Sequence, residues 1–341
     1  MNSIVQEDVN AFVKNFKDVF PLNGDSFLIT GASGLIGSTL IHCLLALDKS
    51  ITITAPVRNL EKAKQLFDES ELKNIKFIEC DFIHFDYSNL GSIYYIFHCA
   101  APTASKFFVE HPVETFSTIM DGTKKMLEVA RDLSVKGMVY LSSLEVYGEI
   151  HDDTNAVTED VQGYLDPMAV RSSYPMAKRA SENLCCLYAS EYGVPVKIAR
   201  LTQTTGAGIA KDDNRIIAQF AKLASQGKDI VLNTTGESAR PYCYTTDTIS
   251  ALLFILFKGV QGECYNVANE STYISARGMA EFIKEHINNN IQIKFNLDNS
   301  LGYAPPTKQK LSAQKLSLLG WQPQYDLKSI FDQLIKYIRA Q

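Results

Sequence analysis

The segment Phe27-Leu-Ile-Thr30 is an apolar run that passes directly into Gly31-Ala32-Ser33-Gly34-Leu35-Ile36-Gly37 and then into Ser38-Thr-Leu-Ile-His-Cys-Leu-Leu-Ala-Leu47. The first part reads as a buried strand and the last as a helix, with three glycines at spacing three between them. A strand must hand over to a helix in a tight turn, where the backbone approaches something that a side chain would exclude. A dinucleotide site has this requirement: its pyrophosphate lies against a helix N-terminus that offers free N–H groups and positive potential. Gly31, Ser33, Gly34, Leu35, Ile36 and Gly37 are therefore candidate cofactor-binding residues. The spacing is GxxGxxG rather than GxGxxG.

The rest of the chain agrees with such a fold. Apolar strands alternate with amphipathic helices through the first 200 residues, which predicts α/β architecture with a parallel sheet. A length of 341 residues with 46% hydrophobic content supports one large domain or two interleaved ones. Net charge is −5 without a basic cluster, which argues against nucleic acid as a partner and against attraction to anionic membranes. No apolar run approaches ~18 residues, so no membrane span is expected. The polar, acidic start Met1-Asn-Ser-Ile-Val-Gln-Glu-Asp8 does not read as a secretory signal, and Ala11 to Phe20 reads as a short amphipathic helix. Seven cysteines, an odd number without a CxxC pair, fit a reduced cytoplasmic protein. The six histidines lack metal-ligand spacing, and no metal site is expected.

Two further segments carry chemistry. The strand-like Gly137-Met-Val-Tyr-Leu-Ser142-Ser143 ends in two hydroxyls, and ligands of open α/β sheets sit at the carboxyl ends of strands. Tyr174-Pro-Met-Ala-Lys178 places a phenol and an ammonium four residues apart, on one face of a helix. A free phenol titrates near ~10, so proton transfer near neutral pH asks for about 4 kcal/mol of help, and a nearby ammonium supplies help of that sign.

Ser143, Tyr174 and Lys178 downstream of the glycine turn resemble the extended short-chain dehydrogenase/reductase superfamily, in its epimerase/dehydratase branch. The resemblance runs from about residue 25 to about residue 335. It takes in Asp81, the His98-Cys-Ala100-Ala101-Pro102 strand end, Gly122-Thr123, Arg200, Gly206, Arg240 before Tyr242-Cys-Tyr-Thr-Thr-Asp247, and Leu319-Gly-Trp-Gln-Pro323. Within the branch the chain is most similar to UDP-glucuronate decarboxylases, through His98 to Pro102, Ser143 with Glu145, Arg171 three residues before Tyr174, and Asp213-Asn-Arg215.

The resemblance implies a Rossmann-type doubly wound parallel sheet with a smaller, interleaved C-terminal substrate domain. The expected division is a helical extension over 1–22, a cofactor-binding domain over 23–200, and a mainly substrate-binding part over 201–341. It further implies Ser143, Glu145, Tyr174 and Lys178 as catalytic residues, and Asp81, Phe82, Ala100, Ala101 and Lys178 as cofactor contacts beside the glycine turn. Pro102, Arg171, Gln203, Arg215 and Arg240 would bind a nucleoside-diphosphate sugar. The helices around Val113 to Leu133 and Tyr174 to Tyr192 would form the bundle of a homodimer.

Several positions depart from the family pattern. Leu144 stands where 4,6-dehydratases carry an acid, Thr103 where some 4-epimerases carry a lysine, Ile119 in place of an asparagine, and Gln203 in place of another. Arg58 follows the second strand where an NAD site wants a carboxylate, and an arginine there accommodates a 2′-phosphate. The expected cofactor is thus NADP, with NAD the alternative. The expected activity is nucleotide-sugar epimerisation or decarboxylation through a 4-keto intermediate. An NADPH-dependent reductase of a keto sugar or ketose is the rival reading, and a non-catalytic cofactor-binding protein is a third.

Overall fold

The computed structural model describes residues 2–297 and 306–341. In chain order, the first part comprises α1 (Ser3–Phe16), β1 (Ser26–Thr30), α2 (Leu35–Leu47), β2 (Thr52–Val57), α3 (Leu60–Lys64), α4 (Glu69–Leu72), β3 (Ile75–Glu79) and β4 (Tyr95–His98). There follow α5 (Ser105–Glu110), α6 (Pro112–Asp132), β5 (Gly137–Ser143), α7 (Ser173–Tyr192), β6 (Val196–Leu201) and β7 (Gln203–Thr205). The last part holds α8 (Ile216–Gln226), β8 (Ile230–Leu232), β9 (Ala239–Tyr244), α9 (Thr245–Lys258), β10 (Cys264–Val267), β11 (Asn269–Ser275), α10 (Ala276–His286), β12 (Ile293–Phe295), α11 (Gln314–Ser317) and α12 (Leu327–Arg339).

Seven strands pair in parallel in the order β3-β2-β1-β4-β5-β6-β10. The apolar runs read from sequence form this sheet because strands covered on both faces have no polar side to show. The strand order reverses between β1 and β4, which opens a crevice at their carboxyl ends. The last sheet strand, β10, comes from the C-terminal third of the chain. So does α9, whose Ile249 to Leu256 side packs with Phe27, Ile29 and Phe97 in the main core.

A second apolar cluster gathers α8, α10 and α12 around Ile217, Phe220, Ile283, Phe331 and Leu334. Two smaller sheets accompany it, β11-β9-β7 and β12-β8. The Leu319-Gly-Trp-Gln-Pro323 segment anchors this part to the first. Trp321 is fully buried and donates its indole N–H to the Asp247 carbonyl at 3.2 Å, while the Asp247 carboxylate accepts the Gln324 and Tyr325 N–H groups.

The N-terminal helix is longer and begins earlier than the sequence periodicity indicates. It spans Ser3–Phe16 because the Asn2 side chain caps it by accepting the Ile4 N–H. Phe12, Phe16 and Phe20 continue into an aromatic row with Phe254 and Phe257 of α9 and its end. On the same helix Asp8 is buried and accepts the Tyr244 hydroxyl at 2.6 Å, with its second oxygen unpartnered. Burial pushes the Asp8 carboxyl up to about 6, against the Tyr244 hydrogen bond; Glu7 pushes it up further and Lys336 pulls it down.

A carboxyl whose folded value lies above its unfolded one binds more protons when folded, between about pH 4 and about pH 6, so its contribution to stability falls as pH rises through that window. Asp8→Asn removes the buried charge and should gain stability relative to the wild type on going from about pH 5 to about pH 7.5, by no more than ~3 kcal/mol. Thermal unfolding of both proteins at the two pH values measures this, and a difference that does not change with pH would contradict the burial of an ionisable Asp8.

Candidate active site

The glycine turn lies at the crevice between β1 and β4. Gly31 has φ +72°, and a Cβ there would lie 2.9 Å from the Ala100 nitrogen and the Cys99 carbonyl carbon. At Gly37 a Cβ would lie 2.3 Å from the Gly31 carbonyl oxygen, so only glycine lets α2 lie this close to the end of β1. Gly34 is the N-cap of α2 and supplies no side chain to its first N–H groups. Ser33 and Gly34 are exposed, while Leu35 and Ile36 are half-buried. An uncapped helix N-terminus with glycines facing it suits a pyrophosphate, so the residues present fit a dinucleotide.

A buried hydrogen bond locks the two strand ends that border this turn. Thr30 Oγ1 and His98 Nδ1 are 2.8 Å apart, and Thr30 Oγ1 accepts the Ala100 N–H at 3.1 Å. Burial, aided by Lys178, pushes the His98 imidazole down to about 3, so it stays neutral. The Phe82 ring lies 5.7 Å from His98, in space that Gly122 leaves open; a Cβ on Gly122 would lie 2.8 Å from that ring. Asp81 is exposed, and its carboxylate accepts the Ile83 N–H. Arg58 is exposed just past β2, and the neighbouring Asn59 side chain caps α3. Ala101 and Pro102 are half-buried beyond β4.

At the end of β5, Ser143 accepts the Glu145 N–H at 3.2 Å and opens a 3-10 turn over Leu144–Tyr147. Tyr174 and Lys178 lie on the first turns of α7, both buried. Burial is the largest influence on the Tyr174 phenol and raises it well above its ordinary value. Glu145 adds to the rise, and the Ser143 hydroxyl and Arg171 oppose it. Lys178 holds its ammonium 5.9 Å from the centroid of the Tyr174 ring. Its ammonium donates to the Leu141 carbonyl at 2.7 Å and lies over the Tyr140 ring, and burial lowers it to about 8.

Glu145 and Arg171, read separately from the sequence, form an ion pair at 3.0 Å. Arg215 is likewise engaged: it clamps Asp213 at 2.6 Å and donates to the Thr204 carbonyl at 2.6 Å. Gln203 on β7 lies in register with Tyr242 on β9, and its side-chain oxygen is buried without a partner. Arg240 and Arg215 both draw down the Tyr242 phenol, which burial holds up at about 12. Gln203, Tyr242, Arg215 and Arg240 therefore share one neighbourhood.

Three more residues shape this region, of which only Arg200 belongs to a pattern read from the sequence. Arg179, next to Lys178, donates to the Val146 and Gly163 carbonyls and so holds both the 3-10 turn and the following loop. Arg200 pairs with buried Glu182 at 2.7 Å and donates to the Tyr147 hydroxyl, which in turn donates to Asn266. Phe108 of α5 stacks on the Tyr174 ring with centroids 4.2 Å apart. It lies between Phe107 and Val109 in a short helix, and a separation of 66 residues hides the contact from any local pattern.

All seven cysteines are free, and no described helix is long and apolar enough to cross a membrane. Residues 27–268 match the model of the NAD dependent epimerase/dehydratase family. UDP-glucuronic acid decarboxylase 6 of Arabidopsis thaliana is 29% identical over 313 residues, covering 88% of this chain and 85% of that protein. Among solved structures, a UDP-glucuronic acid 4-epimerase variant of Bacillus cereus, in complex with NAD and a fluorinated UDP-glucuronic acid, superposes with a TM-score of 0.78 at 21% identity. That match covers 92% of this chain and 99% of the other. The UDP-glucose 4-epimerase of Thermotoga maritima, solved with UDP-glucose, gives a TM-score of 0.77 at 21% identity, covering 92% and 98%. These likenesses show the fold, and the family match goes further: the chain belongs to the NAD-dependent epimerase/dehydratase family and is an enzyme of the extended short-chain dehydrogenase/reductase type.

Proposed function

We propose that the protein modifies a nucleoside-diphosphate sugar by transient oxidation at C4, with decarboxylation of a uronate or epimerisation as the outcome. The observation that carries this reading is the placing of Ser143, Tyr174 and Lys178 at the carboxyl end of β5 and the start of α7, both phenol and ammonium buried. In this reading Tyr174 takes the proton of the C4 hydroxyl, Ser143 hydrogen-bonds the same oxygen, and Lys178 holds the ribose hydroxyls of the cofactor. The bound nicotinamide supplies the hydride acceptor. A ketone at C4 of a uronate is β to the C6 carboxylate, so it can take up the electron pair left when CO2 departs.

Glu145 and Arg171 face this chemistry as a pair, Glu145 to orient the sugar or move a proton at C5, Arg171 to meet a carboxylate or hydroxyl. Gln203 and Arg240 are the proposed diphosphate contacts, because the Arg215 guanidinium is already engaged by Asp213 and Thr204. Tyr174→Phe should lower turnover of UDP-glucuronate about 100-fold or more while the cofactor still binds. Product analysis by mass, with cofactor binding measured separately, tests this, and a fully active variant would overturn the reading.

Arg58 supports a preference for NADP over NAD, since no carboxylate occupies its position at the end of β2 and its guanidinium is exposed. Glu79, the acid at the end of β3, is engaged with the Leu60 N–H. Arg58→Ala should weaken NADP by about 10-fold or more and leave NAD nearly unchanged. Titration of both cofactors against both proteins decides it; tighter binding of NAD to the wild type would remove the preference. The same residue favours the second reading, an NADPH-dependent reductase, which would consume cofactor with every product formed.

Exposed apolar side chains on α6 and in the segment leading to α7, including Val113, Phe116, Met168 and Val170, support a homodimer through these helices. Sedimentation should give a dimer that Phe116→Glu weakens, and a wild-type monomer would contradict it. The free cysteines support a reducing compartment such as the cytoplasm.

A further inference from the structure

A small apolar cluster of Phe108, Ile119, Tyr174 and Ala177, with Ala101 and Met120 against it, stands apart from the larger cores. It contains the candidate proton-transfer residue itself. Phe108 is 2% exposed although it lies on a six-residue helix whose Ser105, Lys106, Val109 and Glu110 are exposed. Its ring lies nearly parallel to that of Tyr174, with 4.2 Å between centroids and 11° between planes. The Arg171 guanidinium lies over the same ring, 5.1 Å from its centroid, and Arg171 holds Glu145. The Phe108 carbonyl accepts the hydroxyl of Ser173, the residue before Tyr174.

We propose that Phe108 is a positioning residue of the catalytic centre, whose ring sets the plane of the Tyr174 phenol and carries Arg171. The inference rests on Tyr174 being the proton-transfer group. A parallel ring at this distance removes the freedom of the phenol to turn about its ring axis, and so fixes the direction in which its O–H bond and lone pairs point. It also presents a negative π-face to an oxygen that must become negative, which disfavours phenolate. A cation over the same ring offsets that cost. Glu145, Arg171, Phe108 and Tyr174 thus form one continuous set of contacts, from a carboxylate to the proton-transfer group, and the apolar member fixes the geometry.

A merely structural Phe108 would affect folding stability but neither the acidity of Tyr174 nor the division between kcat and KM. Phe108→Leu keeps an apolar side chain and removes the stacked face. With UDP-glucuronate its kcat should fall about 3- to 10-fold, the share an aromatic pair contributes, with KM little changed. The limb of the pH profile that belongs to Tyr174 should move to lower pH as the stacked π-face is lost, and Phe108→Tyr should restore both. A readout free of turnover is the tyrosinate absorbance difference between each protein and its own Tyr174→Phe counterpart, which isolates one phenol; Phe108→Leu should bring its ionisation to lower pH.

Should Phe108→Leu not fold, Phe108→Met makes the same test. An unchanged phenol titration and an unchanged kcat in a folded Phe108 variant would overturn the inference and leave the proposed function standing. A fully active Tyr174→Phe protein would overturn both.

Discussion

Gly37 on the first turn of α2 lies so close to Gly31 that a single methyl group would strike the Gly31 carbonyl. This approach seats α2 against the end of β1, and much of the molecule is built around that contact. It brings the free N–H groups of the helix to the crevice between β1 and β4, where the Thr30–His98 hydrogen bond holds the strand ends together. It also lets the far side of α2, through Ile41, Cys43 and Leu44, join the main core with α1 and α9. Leu35, at the start of the same helix, packs against the second cluster with Ile209 and Ile217. The glycine turn is therefore a joint between the two apolar clusters.

Tyr174 faces an opposite demand. Its burial gives a defined geometry but makes phenolate harder to form, and Glu145 adds to the difficulty. The opposing help comes from Ser143 and Arg171. Lys178, which the four-residue spacing singles out as the acidifying partner, donates to the Leu141 carbonyl and holds its ammonium 5.9 Å from the centroid of the Tyr174 ring. The phenol is thus held protonated in the free chain, with Glu145 and Arg171 among the charges that act on it. In the proposed reaction, a substrate that met the Glu145–Arg171 pair would alter the acidity of Tyr174.

Features carried by contiguous residues were legible in the sequence. The glycine turn, the apolar strand runs and the Tyr174–Lys178 spacing depend on local backbone geometry, and each appears where the pattern puts it. Contacts between distant segments were not. Arg171 and Glu145, 26 residues apart, were read as groups available to ligand, because sequence shows charge but not the partner that neutralises it. Phe108 could not be found, since it stands between Phe107 and Val109 and nothing local tells which of these apolar side chains meets Tyr174. The N-terminal helix was placed too late along the chain because its periodicity is clearest near Phe12 and Phe16, while its start is set by a cap at Asn2.

The central claim is that the sugar is oxidised and reduced within one catalytic cycle at Tyr174. Rapid mixing of the cofactor-loaded protein with UDP-glucuronate, followed through the absorbance band of reduced nicotinamide, tests it most directly. The account predicts a transient that rises and decays as product forms, absent in Tyr174→Phe. Product formation with no transient, or a transient of full size in Tyr174→Phe, would contradict it.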